Sequence, residues 1–491
     1  METFTFVLIL FFLLLAWYYS EYRFRFQSIS KFPGPKRIPF FGNALMFIGK
    51  KPSEILTIVE QLHREYGNVL CLMMGSQPEI LLTSPEDVEV VLGSSKLIKK
   101  SDEYDFMTDW LGTGLLIASG LKWFQKRKIT TPAFHLQILD QFVEIFDKHS
   151  AIFVKNLAKS EGHSIDVFQP ITLCALDIIC ETAMGIEIHA QANSNSDYVR
   201  AVKEMSNLAM ARSVNFFLRN KIIYKFSSMK RRQDKLLKIL HGFTDDVIIS
   251  RREELIKNQE ISQNKKKKMA FLDVLLQSTI EGKPLSNMDI REEVDIFMFE
   301  GFDTTSSGIA FCLYNLAKYP AVQKKVFEEI IKVIGADKDK SVTLTNLNDL
   351  KYLEMVIKET LRLYPSVPAY GRKMVENVEI NGKLIPRGTN IGIGPYFMAR
   401  DASLWKNPLE FIPERFSTNE SQYHPFLHVP FSAGPRNCVG QKFAMLEMKS
   451  VVSKILRNYE IQVDSDFKLV LLFEVILRPE NGVFLKMIKR K

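Results

Sequence analysis

The stretch FSAGPRNCVG, Phe431 to Gly440, constrains this chain more than any other. Two glycines, a proline and an arginine surround Cys438, and the segment QKFAMLEMKSVVSKILRNY follows at once. Its apolar residues Phe443, Ala444, Leu446, Val451, Val452, Ile455 and Leu456 recur at helical spacing, which predicts a helix with one buried face. Cys438 therefore belongs at a helix N-terminus, where free backbone N–H groups and the helix dipole favour a thiolate. Gly434 and Gly440 allow the backbone to approach something large or flat. Two roles fit this setting better than a small buried hydrophobe. One is a reactive nucleophile, for which no suitable histidine lies nearby in sequence. The other is a thiolate metal ligand, and haem is the iron group held by a single thiolate.

The remaining cysteines, Cys71, Cys174, Cys180 and Cys312, are scattered and form no CxxC pair, which argues against a disulfide framework or a structural zinc site. His424 and His428 are four apart, but Pro425 between them opposes a shared helix face. A formal charge of +9 over 491 residues is mild, and the basic residues are dispersed, so nucleic-acid binding is not favoured.

The N-terminus is different in kind. Phe4 to Tyr19, FTFVLILFFLLLAWYY, carries no charge. As a helix it spans about 24 Å, slightly short of a hydrocarbon core of about 27–30 Å, and Trp17, Tyr18 and Tyr19 suit the interface. Arg23, Arg25, Lys31, Lys36 and Arg37 follow, which places the remainder on the cytosolic side. The reading is a transmembrane signal anchor over 1–20, a basic, proline-rich hinge over 21–45 and one catalytic domain over 46–491. KFPGPKRIPFFGN supplies the stiff part of the hinge.

Along the body, NVLCLMMG and EILLTS predict a strand pair, and Ser84–Pro85 a helix start. Residues 120–330 are mostly helical, interrupted by the lysine run SQNKKKKM, and short strands return near 376–393 and 467–488. The class is mainly α (α+β), a helix-rich body with small sheets. A long central helix opens on a capping box, Ser286 with Asp289, and runs to about Lys318. Gly301, Thr304 and Thr305 weaken or bend it midway, which predicts a widened turn.

FSAGPRNCVG resembles the haem-binding signature FxxGxRxCxG of the cytochrome P450 superfamily at every fixed position. The other superfamily motifs follow in order: WFQKR with Trp123 and Arg127, EGFDTT at 300–305, KETLR with Glu359 and Arg362, and PERF with Arg415. The resemblance spans essentially the whole chain and implies the P450 fold. It implies haem b with Cys438 as axial iron ligand, and propionates held by Trp123, Arg127, Arg372 and Arg436. It also implies a buried triad of Glu359, Arg362 and Arg415, and an acid–alcohol pair, Asp303 and Thr304, that passes protons toward bound oxygen. VDIFMFEGFDTT, CETAMG, HGFTDDVI and KFAMLEMK are similar to family four of the superfamily, the fatty-acid ω-hydroxylases and their insect relatives. In that family the glutamate matching Glu300 can become ester-linked to a haem methyl. Phe302 departs from the histidine that many members carry there, which points to the insect-type branch.

The implied function is a haem-thiolate monooxygenase acting on a fatty acid or another lipophile such as a terpenoid or xenobiotic, at the endoplasmic reticulum membrane. The sequence has no flavin or nicotinamide fingerprint, so electrons are expected from NADPH through NADPH–cytochrome P450 reductase, with cytochrome b5 as a second donor. Lys126, Lys128 and Lys442 are expected on the docking face. The loop 103–121, Ser366–Tyr370 and Leu472–Ile476 are expected to line the substrate pocket. Two rivals are an oxygen-independent haem-thiolate isomerase or dehydratase, which needs no Asp303–Thr304 relay, and a haem-dependent sensor or carrier.

Overall fold

The structure is a computed structural model that describes residues 2–193, 196–261, 270–417 and 423–490. The lysine run at 262–269 lies outside the described residues. The central helix, Asn287–Lys318, is the spine. Ser286 caps it by accepting from the Asp289 N–H at 3.1 Å, as the capping box predicts. From Val294 to Ala317 nearly every side chain is buried, because helices pack around it on several sides. Its principal neighbours are the helices Phe168–Ile179, Ser228–Ile261, Lys351–Leu363 and Gln441–Asn458. The last is the helix expected after Cys438, and it also packs on Leu136–Leu157.

The expected strand pair forms as Val69–Met74 antiparallel to Gln77–Leu82. Asn390–Ile393 joins it in parallel and Tyr370–Lys373 closes the sheet, which has four strands. Ser84 caps the helix Pro85–Leu92 by accepting from Asp87 N–H. A second sheet of three strands pairs Tyr459–Gln462, Phe484–Lys489 and Ser164–Asp166. A two-stranded hairpin, Leu471–Leu472 with Arg478–Pro479, carries the loop 473–477.

The central helix is continuous through Gly301–Thr305, so the widened turn expected there is absent. Thr304 and Thr305 do bond back to the preceding turn, donating to Glu300 O at 2.8 Å and Gly301 O at 2.7 Å. These bonds are accommodated without breaking the ladder. A π-type turn occurs instead at Cys180–Met184, closed by Gly185 in the left-handed region.

The first helix runs Glu2–Ile29, past residue 20, and Phe4 to Leu13 all stand exposed on it. Among the described residues, no helix is long and apolar enough to cross a membrane. Where the helix ends, the chain is fixed to the body. Ile29 and Phe32 are buried. Cys71 N–H donates to Pro33 O at 2.8 Å, and Asn43 and Met73 bond each other through backbone and side chain. A Cβ on Gly34 would lie 2.1 Å from the Cys71 carbonyl oxygen, so only glycine allows this close approach. The proline-rich segment is therefore stitched to the edge strand of the sheet.

Candidate active site

Glu359 organises the layer behind the Cys438 loop. It sits on the helix Lys351–Leu363 with Arg362 one turn later, and both side chains are fully buried. Arg362 Nε and Nη2 donate to the two Glu359 oxygens at 2.6 and 2.8 Å, a bidentate pair. Arg362 then donates to the carbonyls of Ala399, Pro408 and Glu410. Glu359 Oε1 also accepts from Ile412 N–H at 2.8 Å and from Arg415 Nε at 3.4 Å. The expected triad is assembled. It tethers the irregular segment 399–415, which no sheet or long helix supports.

The cysteine loop is held from three sides. Arg127, on the helix Gly120–Thr130, donates to Asn437 O and Asn437 Oδ1, each at 2.8 Å. Cys438 N–H bonds Phe431 O at 2.9 Å. Gly434 has φ +68°, and a Cβ there would lie 1.9 Å from Leu92 O, so the loop wedges against the end of its neighbouring helix. Gln441–Asn458 begins just after, with Gly440 as its N-cap.

Cys438 opens onto an internal cavity. The proximal side also carries Phe431, Arg436 and Gly440, and the opposite side carries Glu300, Gly301, Thr304 and Thr305 of the central helix. Tyr104, Met107, Leu115, Leu116, Ser366, Val367, Tyr370, Val475 and Ile476 complete the walls, so each of the three expected pocket segments contributes. Ser366 Oγ donates to Thr304 O at 2.8 Å, locking that wall to the helix.

Four cations gather at one edge. Lys100, Arg127 and Arg436 line the cavity, and Arg372 is buried beside it. Arg436 bonds only carbonyls, those of Ile98, Leu115 and Leu116, and its guanidinium lies 5.3 Å from the Trp123 ring. Arg372 reaches its neighbour Gly371 O at 3.1 Å and Ser432 Oγ at 3.4 Å. No described carboxylate forms an ion pair with any of the four. Burial, then the repulsion of Arg372, holds Arg436 down at about 9. Burial and the charges of Arg372 and Arg436 likewise hold Lys100 well below the usual lysine range. Buried charges without counter-ions are costly, so the edge is built for an anionic group.

Other expectations need correction. Burial pushes the Cys438 thiol up to about 12, against the Gly440 N–H and Arg127. The helix start and Arg127 favour the thiolate, as expected, but burial outweighs them. Asp303 does not share the cavity face with Glu300 and Thr304. It is buried and ion-paired with Arg478. Its three-residue spacing from Glu300 permits a shared face, but Arg478 draws it away. Lys126 is not on an open docking face either. It is buried, 2.7 Å from Glu293 and 3.5 Å from Glu292, whereas Lys128 and Lys442 are exposed.

The family model described as Cytochrome P450 matches residues 32–487. The chain belongs to the cytochrome P450 family. It is 46% identical over 474 residues to "Cytochrome P450 4d10" of Drosophila mettleri, covering 94% of this chain and 92% of the relative. It is also 46% identical to "Cytochrome P450 4d1" and "Cytochrome P450 4d2" of Drosophila melanogaster, over 96% and 98% of the chain. These relatives make it an insect-type member of family four, and so a haem-dependent cytochrome P450 monooxygenase.

Haem fits the residues present. A cytochrome P450 needs a sulfur facing a cavity and cations for two propionates, and both are here, the cations bonded to neutral groups but to no described carboxylate. Sequence reasoning missed Lys100, which lies just before the expected pocket loop and carries no motif. It also missed Asn437, through which Arg127 acts on the cysteine loop, and Arg478, whose only signal is a charge inside the apolar run VILRP.

The triad yields a prediction. Glu359→Gln removes the charge that both buried arginines share, and stranding them should cost about 3–5 kcal/mol. Thermal unfolding should show that loss together with reduced haem retention, and Glu359→Asp should recover part of it. An unchanged melting temperature would refute the organising role.

Proposed function

We propose that Cys438 is the axial ligand of haem iron in this monooxygenase, and that its substrate is a fatty acid or a similarly elongated lipophile. The observation that carries the first part is a sulfur facing a cavity whose rim holds four cations, Arg372 and Arg436 buried and Lys100 and Arg127 half-buried, with no ion-paired carboxylate among the described residues. Arg436, Arg372, Arg127 and Lys100, with Trp123 against Arg436, would hold the propionates. When bound, the haem supplies activation of dioxygen for insertion of one oxygen atom into a C–H bond. The apolar walls Met107, Leu115, Leu116, Val367, Val475 and Ile476 hold a lipophilic chain and exclude water. Thr304, on the cavity face, and Asp303 behind it are the alcohol and acid that move protons there.

Electrons come from NADPH through NADPH–cytochrome P450 reductase, with cytochrome b5 as a second donor, and Lys128 and Lys442 stand exposed for that docking. The protein is held at the endoplasmic reticulum membrane by its first helix, as an anchor over 1–20 with the catalytic body from 46 on. Supporting this are the exposed apolar residues from Phe4 to Leu13 and an apolar patch on the body. The patch comprises Ile38, Phe40 and Leu45 near the connector and Phe217, Ile222 and Phe226 across the Phe41–Phe216 contact. Glu300 lines the cavity, where burial, opposed by Lys100, holds its carboxyl up at about 7, and it would hold a haem methyl as an ester. Joining its oxygen to the methyl carbon would release one methyl hydrogen and the carboxyl proton, the two electrons and two protons passing to dioxygen, the co-substrate of the reaction.

Three outcomes test this reading. Cys438→Ser should abolish the strongly red-shifted Soret band of the reduced carbonyl complex, and retention of that band would overturn the ligand assignment. After turnover, haem should co-migrate in part with the denatured chain under acidic conditions, and Glu300→Ala should release all of it. Complete release from the parent would remove the ester and leave the monooxygenase intact. Deleting residues 1–20 should weaken membrane sedimentation while the carbonyl spectrum persists; unchanged sedimentation would refute the anchor.

A further inference from the structure

Asp303 is buried, is absent from the cavity wall, and is held by a residue from a distant part of the chain. One residue on, Thr304 does line the cavity. Successive helical residues are rotated by roughly 100°, so Asp303 stands on the helix face next to the one that lines the cavity. What restrains it is Arg478, whose Nη2 donates to Asp303 Oδ2. The same guanidinium has a second acid beside it. Arg478 Nε is 3.8 Å from Glu474 Oε2 and makes no hydrogen bond of its own. Glu474 is equally buried, and with the Asn207 amide turned to face it, its oxygens accept from Asn207 at 2.6 and 2.9 Å. Asn207 and Lys203 are exposed on the helix Asp197–Val214, and Lys203 acts electrostatically on both Asp303 and Glu474.

Glu474 and Arg478 stand four residues apart on one hairpin, and Val475 and Ile476 between them form part of the cavity wall. One arginine is thus placed between two acids, on an element whose loop lines the cavity.

We infer that Arg478 and Glu474 are positioning residues for Asp303: they hold its carboxylate outside the cavity, and ligand contact at Val475 and Ile476 shifts Arg478 toward Glu474 and frees Asp303 to take a proton from the solvent edge and pass it to the cavity. The inference rests on Asp303 being the acid, as proposed above. Only O–H bonds change. The proton Asp303 gives up at the cavity is replaced from solvent at the edge where Asn207 and Lys203 are exposed.

The test uses the full-length haem-loaded protein with D303N, E474Q, R478Q and R478K. The infrared carbonyl band of protonated Asp303 is identified by its loss in D303N. Removing the cation in R478Q should make that band appear at higher pH than in the parent. Removing the competing anion in E474Q should move it to lower pH. In turnover, R478Q should consume NADPH several-fold faster without substrate, having lost the restraint. E474Q should give several-fold less product per NADPH with a larger solvent deuterium isotope effect, and R478K should restore parental behaviour. E474Q keeps the Arg478–Asp303 pair and so carries the test if R478Q fails to fold. Parental coupling in D303N would overturn the acid assignment and the inference with it. Altered coupling in D303N, with parental band position and substrate dependence in E474Q and R478Q, would overturn the inference alone.

Discussion

A single buried carboxylate, Glu359, supports the loop on which the chemistry depends. Its two oxygens receive Arg362, Arg415 and a backbone N–H, and Arg362 in turn ties down three carbonyls of the 399–410 stretch. Irregular backbone buried in a protein needs partners for its polar groups, and here two arginines supply them where secondary structure does not. The chain leaves this knot and passes to the cysteine loop, where Tyr370 OH bonds Val429 O and Arg127 bonds Asn437. The network thus fixes the 399–412 stretch, and Tyr370 and Arg127 fix the loop that carries the sulfur.

The central helix supplies the opposite wall, and there charges sort by the angle they take around the axis. Glu300 and Thr304 face the cavity, Glu293 turns to Lys126 and the Leu115 N–H, and Asp303 turns to Arg478. Of these four polar groups on one buried helix, two face the cavity, one is shared between a neighbouring helix and a loop, and one is matched to a hairpin. This divides the helix into a reactive face and faces that fix the surrounding elements.

Much of this was legible in the sequence because the motifs are local. FSAGPRNCVG and the helix after it, the capping box at Ser286, the Ser84–Pro85 start and the Val69–Leu82 strand pair all follow from neighbours in the chain. What was not legible depends on partners far away. Asp303 and Glu300 look alike by spacing, and only Arg478, 175 positions on, separates their directions. Lys126 reads as a surface lysine until the central helix brings Glu293 beside it. The strands Ser164–Asp166 and Tyr459–Gln462 are short, and they exist because Phe484–Lys489 pairs with both. The threonines at 304 and 305 suggested a distorted turn, but back-bonding of hydroxyls to the preceding turn is compatible with an intact ladder when neighbouring helices enclose it.

The cation-lined edge of the cavity bears on how much of this protein a cell can hold in its native state. Lys100, Arg372 and Arg436 repel one another inside the fold, and a dianionic ligand converts that repulsion into attraction. A ligand that binds only the native form stabilises it in proportion to the logarithm of its free concentration over its dissociation constant. Cofactor supply therefore acts on abundance as well as on activity. By that linkage the clustered cations make the native state's margin depend on how much of the anionic ligand is at hand.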